Sequence, residues 1–277
     1  MLARKCESAL RVLRRWLTIR HMRTPVQFAI SAALPLACCA IAAAAVPETQ
    51  PRVITVDCPA NDQTGSARLQ AGETMSAPVA PALAGQIAYY RAEHSPGVYA
   101  PRGWSCRAWD GSNGSTLVVT PKRMEPPYFP LPMITGPAVM IETSDAASSG
   151  RFHVAIVAAQ LFPLVGSAFV TRVRQEHLIS DSSFDVESYP DDRLIYLSDR
   201  LVQFTTPPNR AGLGTAGMFE VSDLPVRGLS IFNLESEANA LIEVRVRLPA
   251  GLNAVAEAVV QLETTCVQLP RGCRGIP

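Results

Sequence analysis

Two hydrophobic spacings run through this chain. In Leu241–Leu248, Ile242, Val244, Val246 and Leu248 alternate with Glu243, Arg245 and Arg247. That period of two predicts a half-buried strand with a solvated charged face. Pro249-Ala250-Gly251 breaks it, and Leu252, Val255, Val259 and Leu262 then recur at helical spacing, predicting a helix that ends near Cys266. Phe152, Ile156, Ala159 and Phe162 mark a second helical stretch over Phe152–Val173, opened by Ser148-Ser149-Gly150. Pro163 lacks a backbone donor, so this stretch is expected as two helices or one that bends. Arg151, His153, Gln160 and Arg172 break or flank it, which favours a core helix over a membrane span.

The remaining apolar runs are short. Val53–Val56 is β-branched and predicts a strand. Ser115–Thr120, Ala138–Glu142, Leu194–Leu197, Leu201–Thr205 and Ile231–Leu234 are further strand candidates, while Gln86–Ala92 allows a strand or a short helix. Residues 57–82 are polar and rich in Pro and Ala, so irregular structure is expected there. The prolines and glycines of His94–Cys106 predict turns, as does Asp110–Gly114, which with the strand after it suggests a hairpin. Residues 121–137 hold six prolines and read as a loop or surface arm. The sum is an α+β fold: a mixed, mainly antiparallel sheet with two principal helical regions, stapled by disulfides.

Residues 22–46 change how the rest is read. A basic start at Arg23, the 19 uncharged residues Phe28–Val46 and a terminal alanine string have the layout of a secretory signal peptide. Ala43 and Ala45 suit cleavage after Ala45, giving a leader over 1–45 and a single exported domain over 46–277 that contains the 121–137 loop. Met22 is the expected start, because 27 residues precede Phe28. An uncleaved anchor is the first rival, weakened by the Ala-rich run and Pro35. A lipoprotein is the second, weakened by the residues before Cys38 and Cys39. Of 25 basic and 24 acidic side chains, seven basic and one acidic precede residue 46, so the exported part carries −5 rather than +1. That balance argues against nucleic acid as partner. An envelope component is expected instead, with membrane contact only through an uncleaved leader.

Export also sets the reading of the cysteines. Cys6, Cys38 and Cys39 leave with the leader, and Cys58, Cys106, Cys266 and Cys273 remain. An even number in an oxidising compartment implies disulfides, with three pairings open. Cys58–Cys106 and Cys266–Cys273 are nearest in sequence, and the first would contribute about 3–4 kcal/mol by loop entropy.

The candidate chemistry is thin. Gly212-Leu213-Gly214-Thr215-Ala216-Gly217 matches G-x-G-x-x-G. Thr206-Pro207-Pro208-Asn209-Arg210 precedes it, and little room for a helix follows, so a glycine-rich turn is the reading and no cofactor is expected. His94, His153 and His177 form no zinc-ligand pattern, and no nucleophile elbow is present. An aspartate-lined calcium site within 181–192 lacks EF-hand spacing. Arg102, Trp104, Arg107 and Trp109 beside a glycine-rich turn form the best candidate binding surface; the plainer reading has both tryptophans capping a small core beside Cys106.

Ala100-Pro101-Arg102-Gly103-Trp104-Ser105-Cys106, with Gly111-Ser112-Asn113-Gly114-Ser115, resembles a motif of a family of uncharacterised exported proteobacterial proteins. Thr206–Thr215 and Val246-Arg247-Leu248-Pro249 resemble it too, so the likeness covers roughly residues 95–265. The resemblance implies export and carries no activity. The expected function is therefore an exported cell-envelope protein with a non-catalytic binding or structural role. The alternative is a secreted hydrolase whose residues converge only in the fold, with His94 or His153 as base.

Overall fold

A computed structural model describes residues 51–61, 74–93, 95–124, 133–184, 189–235 and 239–268. The leader and its cleavage site lie outside them, as do His94, Cys273 and the centre of the Pro-rich loop. Residues Thr49–Pro277 form one compact unit.

Twelve strands are described: β1 (Arg52–Asp57), β2 (Ala60–Asn61), β3 (Thr74–Ser76), β4 (Ile87–Arg91), β5 (Val98–Pro101), β6 (Ser105–Gly111), β7 (Gly114–Thr120), β8 (Ala138–Ser144), β9 (Arg193–Ser198), β10 (Leu201–Thr206), β11 (Val226–Phe232) and β12 (Leu241–Arg247). Four helices accompany them: α1 (Pro81–Ala84), α2 (Arg151–Leu161), α3 (Pro163–Gln175) and α4 (Asn253–Gln268). The strands form a four-stranded sheet, β3-β1-β4-β5, and an eight-stranded sheet, β2-β6-β7-β8-β12-β11-β10-β9. All pairs are antiparallel except β1 with β4 and β2 with β6. The fold is α+β, with antiparallel pairing dominant, as expected.

Each face of the large sheet has its own cover. On one face Ala108, Leu117, Val119, Val139, Ile141, Leu229, Ile231, Val244 and Val246 meet the four-stranded sheet and the Val255–Val259–Leu262 stripe of α4 in one core. The other face is covered in parts. Val202, Phe204, Phe232 and Leu241 pack under α2 and α3. Farther along, Trp109, Val118, Met140 and Val226 pack with Phe219 and Ile134. Pro163 ends one helix and begins the next, as its missing donor requires. Phe162, at the junction, stacks on Phe232 with ring centroids 5.5 Å apart.

Three stretches depart from the sequence reading. Residues 57–82, expected to be irregular, contribute β2, β3 and the start of α1, the two short strands being held by pairing to β6 and β1. The punctuated segment before Cys106 contains a buried strand, β5, and not turns alone. Pro101 fits because β5 is an edge strand and its last residue has no donor to offer. Tyr90 pins the turn that follows: its hydroxyl donates to Pro101 O at 2.7 Å and accepts from Trp104 N at 3.0 Å. The third departure is β12. Its apolar alternation is real, but Glu243, Arg245 and Arg247 are buried, with Arg247 fully inaccessible. A period of two reports that the two faces differ, and α2 and two loops cover the charged one.

The Asp110–Gly114 turn closes a hairpin between β6 and β7 as expected. Gly114 sits at φ +139°, a backbone region that side chains disfavour. Cys58 and Cys106 form a disulfide with Cα atoms 5.4 Å apart. It fastens the exit of β1 in the small sheet to β6 in the large one. Cys266 is also disulfide-bonded, and its expected partner Cys273 lies outside the described residues.

Candidate functional site

The four residues of the sequence-derived surface are distributed over two faces. Arg102 is exposed on the turn after β5. Trp104 is half-buried against the main core, beside Cys106. Two positions along β6 from Arg107, Trp109 is buried on the opposite face with Val118, Met140 and Phe219. Alternation along the strand separates the tryptophans, so only Trp104 lies by the disulfide.

The G-x-G-x-x-G stretch is a single tight turn around Leu213–Thr215, followed by β11 and no α-helix. Its N–H groups are already used. Gly212 N donates to Thr215 Oγ1, Leu213 N to Asp192 Oδ2 at 2.7 Å, and Gly214 N to Thr206 Oγ1 at 2.9 Å. A dinucleotide site needs those donors free for pyrophosphate. A Cβ at Gly214 would also lie 2.5 Å from the Val226 Cβ, so this glycine serves close packing.

The buried charges of β12 form a network that the sequence reading assigned to solvent. Arg245 donates to Glu243 Oε1 at 3.0 Å, to Glu142 Oε2 at 3.2 Å and to Leu213 O at 3.2 Å. His153 on α2 reaches Glu243 Oε2 at 2.9 Å, and Ser230 donates to Glu243 Oε1. Burial alone would raise the Glu243 pKa, but the Arg245 guanidinium and His153 hold it well below the usual carboxylate value. Burial opposes the charge on His153, yet the Glu243 carboxylate raises its pKa overall. Ser230 bonds the carboxylate and not the imidazole. The arrangement therefore pairs a His with a Glu, and among the described residues no Ser, Thr or Cys is hydrogen-bonded to the imidazole. His177 is exposed at the end of α3 with φ 53°. Among the described residues, no group of three or more His, Cys, Asp or Glu side chains is placed to hold a metal.

Strand β9 is the most unusual surface. Leu194-Ile195-Tyr196-Leu197 is a continuous apolar run, a pattern proper to a strand buried on both faces. Yet among the described residues β9 is the last strand of the large sheet, bonded only to β10. Leu194 is 38%, Ile195 42%, Tyr196 53% and Leu197 42% exposed, so both faces are open as well as the edge. Behind it, where α4 crosses β10 and β11, lies an open groove of about 230 Å³. Its walls include Arg193, Ile195, Gln203, Arg227, Glu257 and Gln261. Gln203 is anchored by donating to Thr264 Oγ1 at 2.8 Å, and Arg227 donates to Asn253 Oδ1. Sequence reasoning found β9 as a strand but not as a site, because edge position is a property of the completed sheet. The unbroken apolar run was the available signal.

No family model matches the chain, and neither a curated protein nor a solved structure shows significant similarity to it.

Proposed function

We propose that the chain is an exported, non-catalytic cell-envelope protein that works by docking another polypeptide along β9. The observation that carries this reading is the combination of a central-strand sequence with an edge position: four consecutive large apolar residues, open on both faces beside a backbone edge that no strand among the described residues pairs. Natural proteins normally blunt such an edge with Pro, charged residues or bulges; Leu194–Leu197 contains no Pro or charge, and the one register shift of β9 against β10 falls after Tyr196, toward the turn. An added strand would satisfy the free N–H and C=O groups, and its alternate side chains would cover the exposed apolar ones. The Cys58–Cys106 disulfide and the leader-like sequence support export, since such bonds persist in oxidising compartments.

Among the described residues no helix is long and apolar enough to cross a membrane; membrane contact through an uncleaved leader remains part of the proposal. The hydrolase alternative rests on the His153–Glu243 pair, and the position of Ser230 on the carboxylate side counts against it.

A photo-reactive amino acid placed at Tyr196, and separately at Leu164 on α3 as a still more exposed control, tests the docking edge in intact cells. Adducts from position 196 that are absent at 164 are expected. The same adduct pattern at both positions would overturn the reading.

A further inference from the structure

We infer that the polypeptide docked on β9 is a second copy of this chain, paired antiparallel about a two-fold axis through Tyr196. This rests on the docking edge proposed above and names its occupant. The argument is the self-complementarity of Arg193-Leu194-Ile195-Tyr196-Leu197-Ser198-Asp199. When the strand is laid antiparallel against itself with Tyr196 opposite Tyr196, Ile195 faces Leu197, Leu194 faces Ser198, and Arg193 faces Asp199. Every apolar residue thus meets an apolar or small one. Each end brings a cation onto an anion, twice by symmetry, which is the isologous contact a two-fold dimer requires. Both Arg193 and Asp199 are exposed.

At the centre of the pair the faces agree as well; a register shift between β9 and β10 sets Ser198 opposite Leu201, on the α4 face, so the regular part of the edge is Arg193–Tyr196 and the Arg193–Asp199 contact is made by side chains reaching past the strand end. Directly opposed residues in an antiparallel pair lie on the same side of the sheet. Leu194 and Tyr196 lie on the face that carries Val202 and Phe204 under α2 and α3, because they are the register partners of Phe204 and Val202. The two copies therefore place their α2–α3 layers on one side and their α4 helices on the other. The eight-stranded sheets join into one continuous sheet, and the exposed apolar residues gain neighbours on both faces. A shift by one position in either direction moves Arg193 off Asp199, so the charges fix the register.

The test is analytical ultracentrifugation of the protein expressed from the full gene and purified as the cell processes it, over a wide concentration range. A dimer is expected. Arg193→Asp and Asp199→Arg, each alone, set like charges face to face and are expected to raise the dimer dissociation constant on the order of tenfold or more. The double exchange Arg193→Asp with Asp199→Arg restores opposite charges and is expected to recover the wild-type constant. Tyr196→Lys, two lysines at the symmetry centre, is expected to give monomer with an unchanged far-ultraviolet circular dichroism spectrum. A wild-type monomer at all concentrations would overturn the second copy as occupant, as would a dimer indifferent to the charge exchange. Position-specific adducts at residue 196 to a different polypeptide would in that case leave the docking edge standing. A monomer without such adducts would remove both.

Discussion

Arg245 and Glu243 stand two residues apart on β12, 3.0 Å from guanidinium Nη2 to carboxylate Oε1, and both side chains are buried. Their spacing puts them on one face of the strand, and α2 brings His153 down onto the same carboxylate. Removing one partner leaves an uncompensated buried charge, which costs about 3–5 kcal/mol. Arg245→Met is therefore expected to lower the unfolding free energy by that order in urea titrations. Arg245→Met combined with Glu243→Leu is expected to recover part of the loss, since no fully buried charge is then left unpaired, while the buried Ser230 hydroxyl loses its acceptor.

The same carboxylate sets an acid limit. The folded-state pKa of Glu243 lies below its ordinary value of 4.5 because Arg245 and His153 outweigh the burial that would raise it. Its contribution is present above pH 4.5 and is lost as pH falls through the folded-state value. Thermal melts between pH 7 and pH 3 should show the loss. Glu243→Gln, less stable at neutral pH, should lose less in that range.

Glu263 works in the opposite direction. Buried on α4 and accepting one hydrogen bond from Tyr99 N at 2.7 Å, its carboxyl is pushed by burial up to about 8, the Tyr99 donor opposing only in part. Between pH 4.5 and about 8 the folded state keeps a proton that the unfolded chain releases, so stability declines as pH rises across that window. Glu263→Gln keeps an acceptor for Tyr99 and is expected to flatten the slope, whose ceiling is about 1.4 kcal/mol per pH unit. His153, raised from 6.5, adds a loss of the same sign at higher pH that this variant leaves in place. Urea titrations at several pH values separate the two.

The tryptophans give a side-chain test. Trp109→Ala empties a core position and is expected to cost about 3–5 kcal/mol, whereas Arg102→Ala on the exposed turn should stay within about 0.5 kcal/mol. Equal small effects at both would place Trp109 at the surface after all. Chemical denaturation of the two variants decides it.

Much of the fold was legible in the sequence because its strongest signals are local. Pro163 announced the α2–α3 break, the Leu252–Leu262 spacing announced α4, and the Asp110–Gly114 turn announced the β6–β7 hairpin. What was not legible depends on contacts distant in sequence. The charges of β12 look solvated along the strand, and only His153, some ninety residues away, and the Leu213 carbonyl show that they are covered. Trp104 and Trp109 look like one cluster in sequence, yet the strand carries them to opposite faces. The apolar run of β9 signalled a doubly covered strand, while its place at the sheet edge was set by the order in which eight strands assemble.

The Cys58–Cys106 bridge closes a covalent ring that contains β2, β3, α1, β4 and β5, so three of the four strands of the small sheet are held inside a single loop of chain. Before oxidation that segment is secured to the larger sheet by packing and by hydrogen bonds such as Ala108 N to Pro59 O and Tyr99 N to Glu263. Oxidation therefore acts as a latch: the ring can close only once the end of β1 and β6 have come together, with the Cys58 and Cys106 Cα atoms 5.4 Å apart, and on the proposed export route that step would follow translocation. Loss of Cys58 and Cys106 together is expected to lower stability by about 3–4 kcal/mol, and the protease-sensitive segment that results should map to residues 58–106.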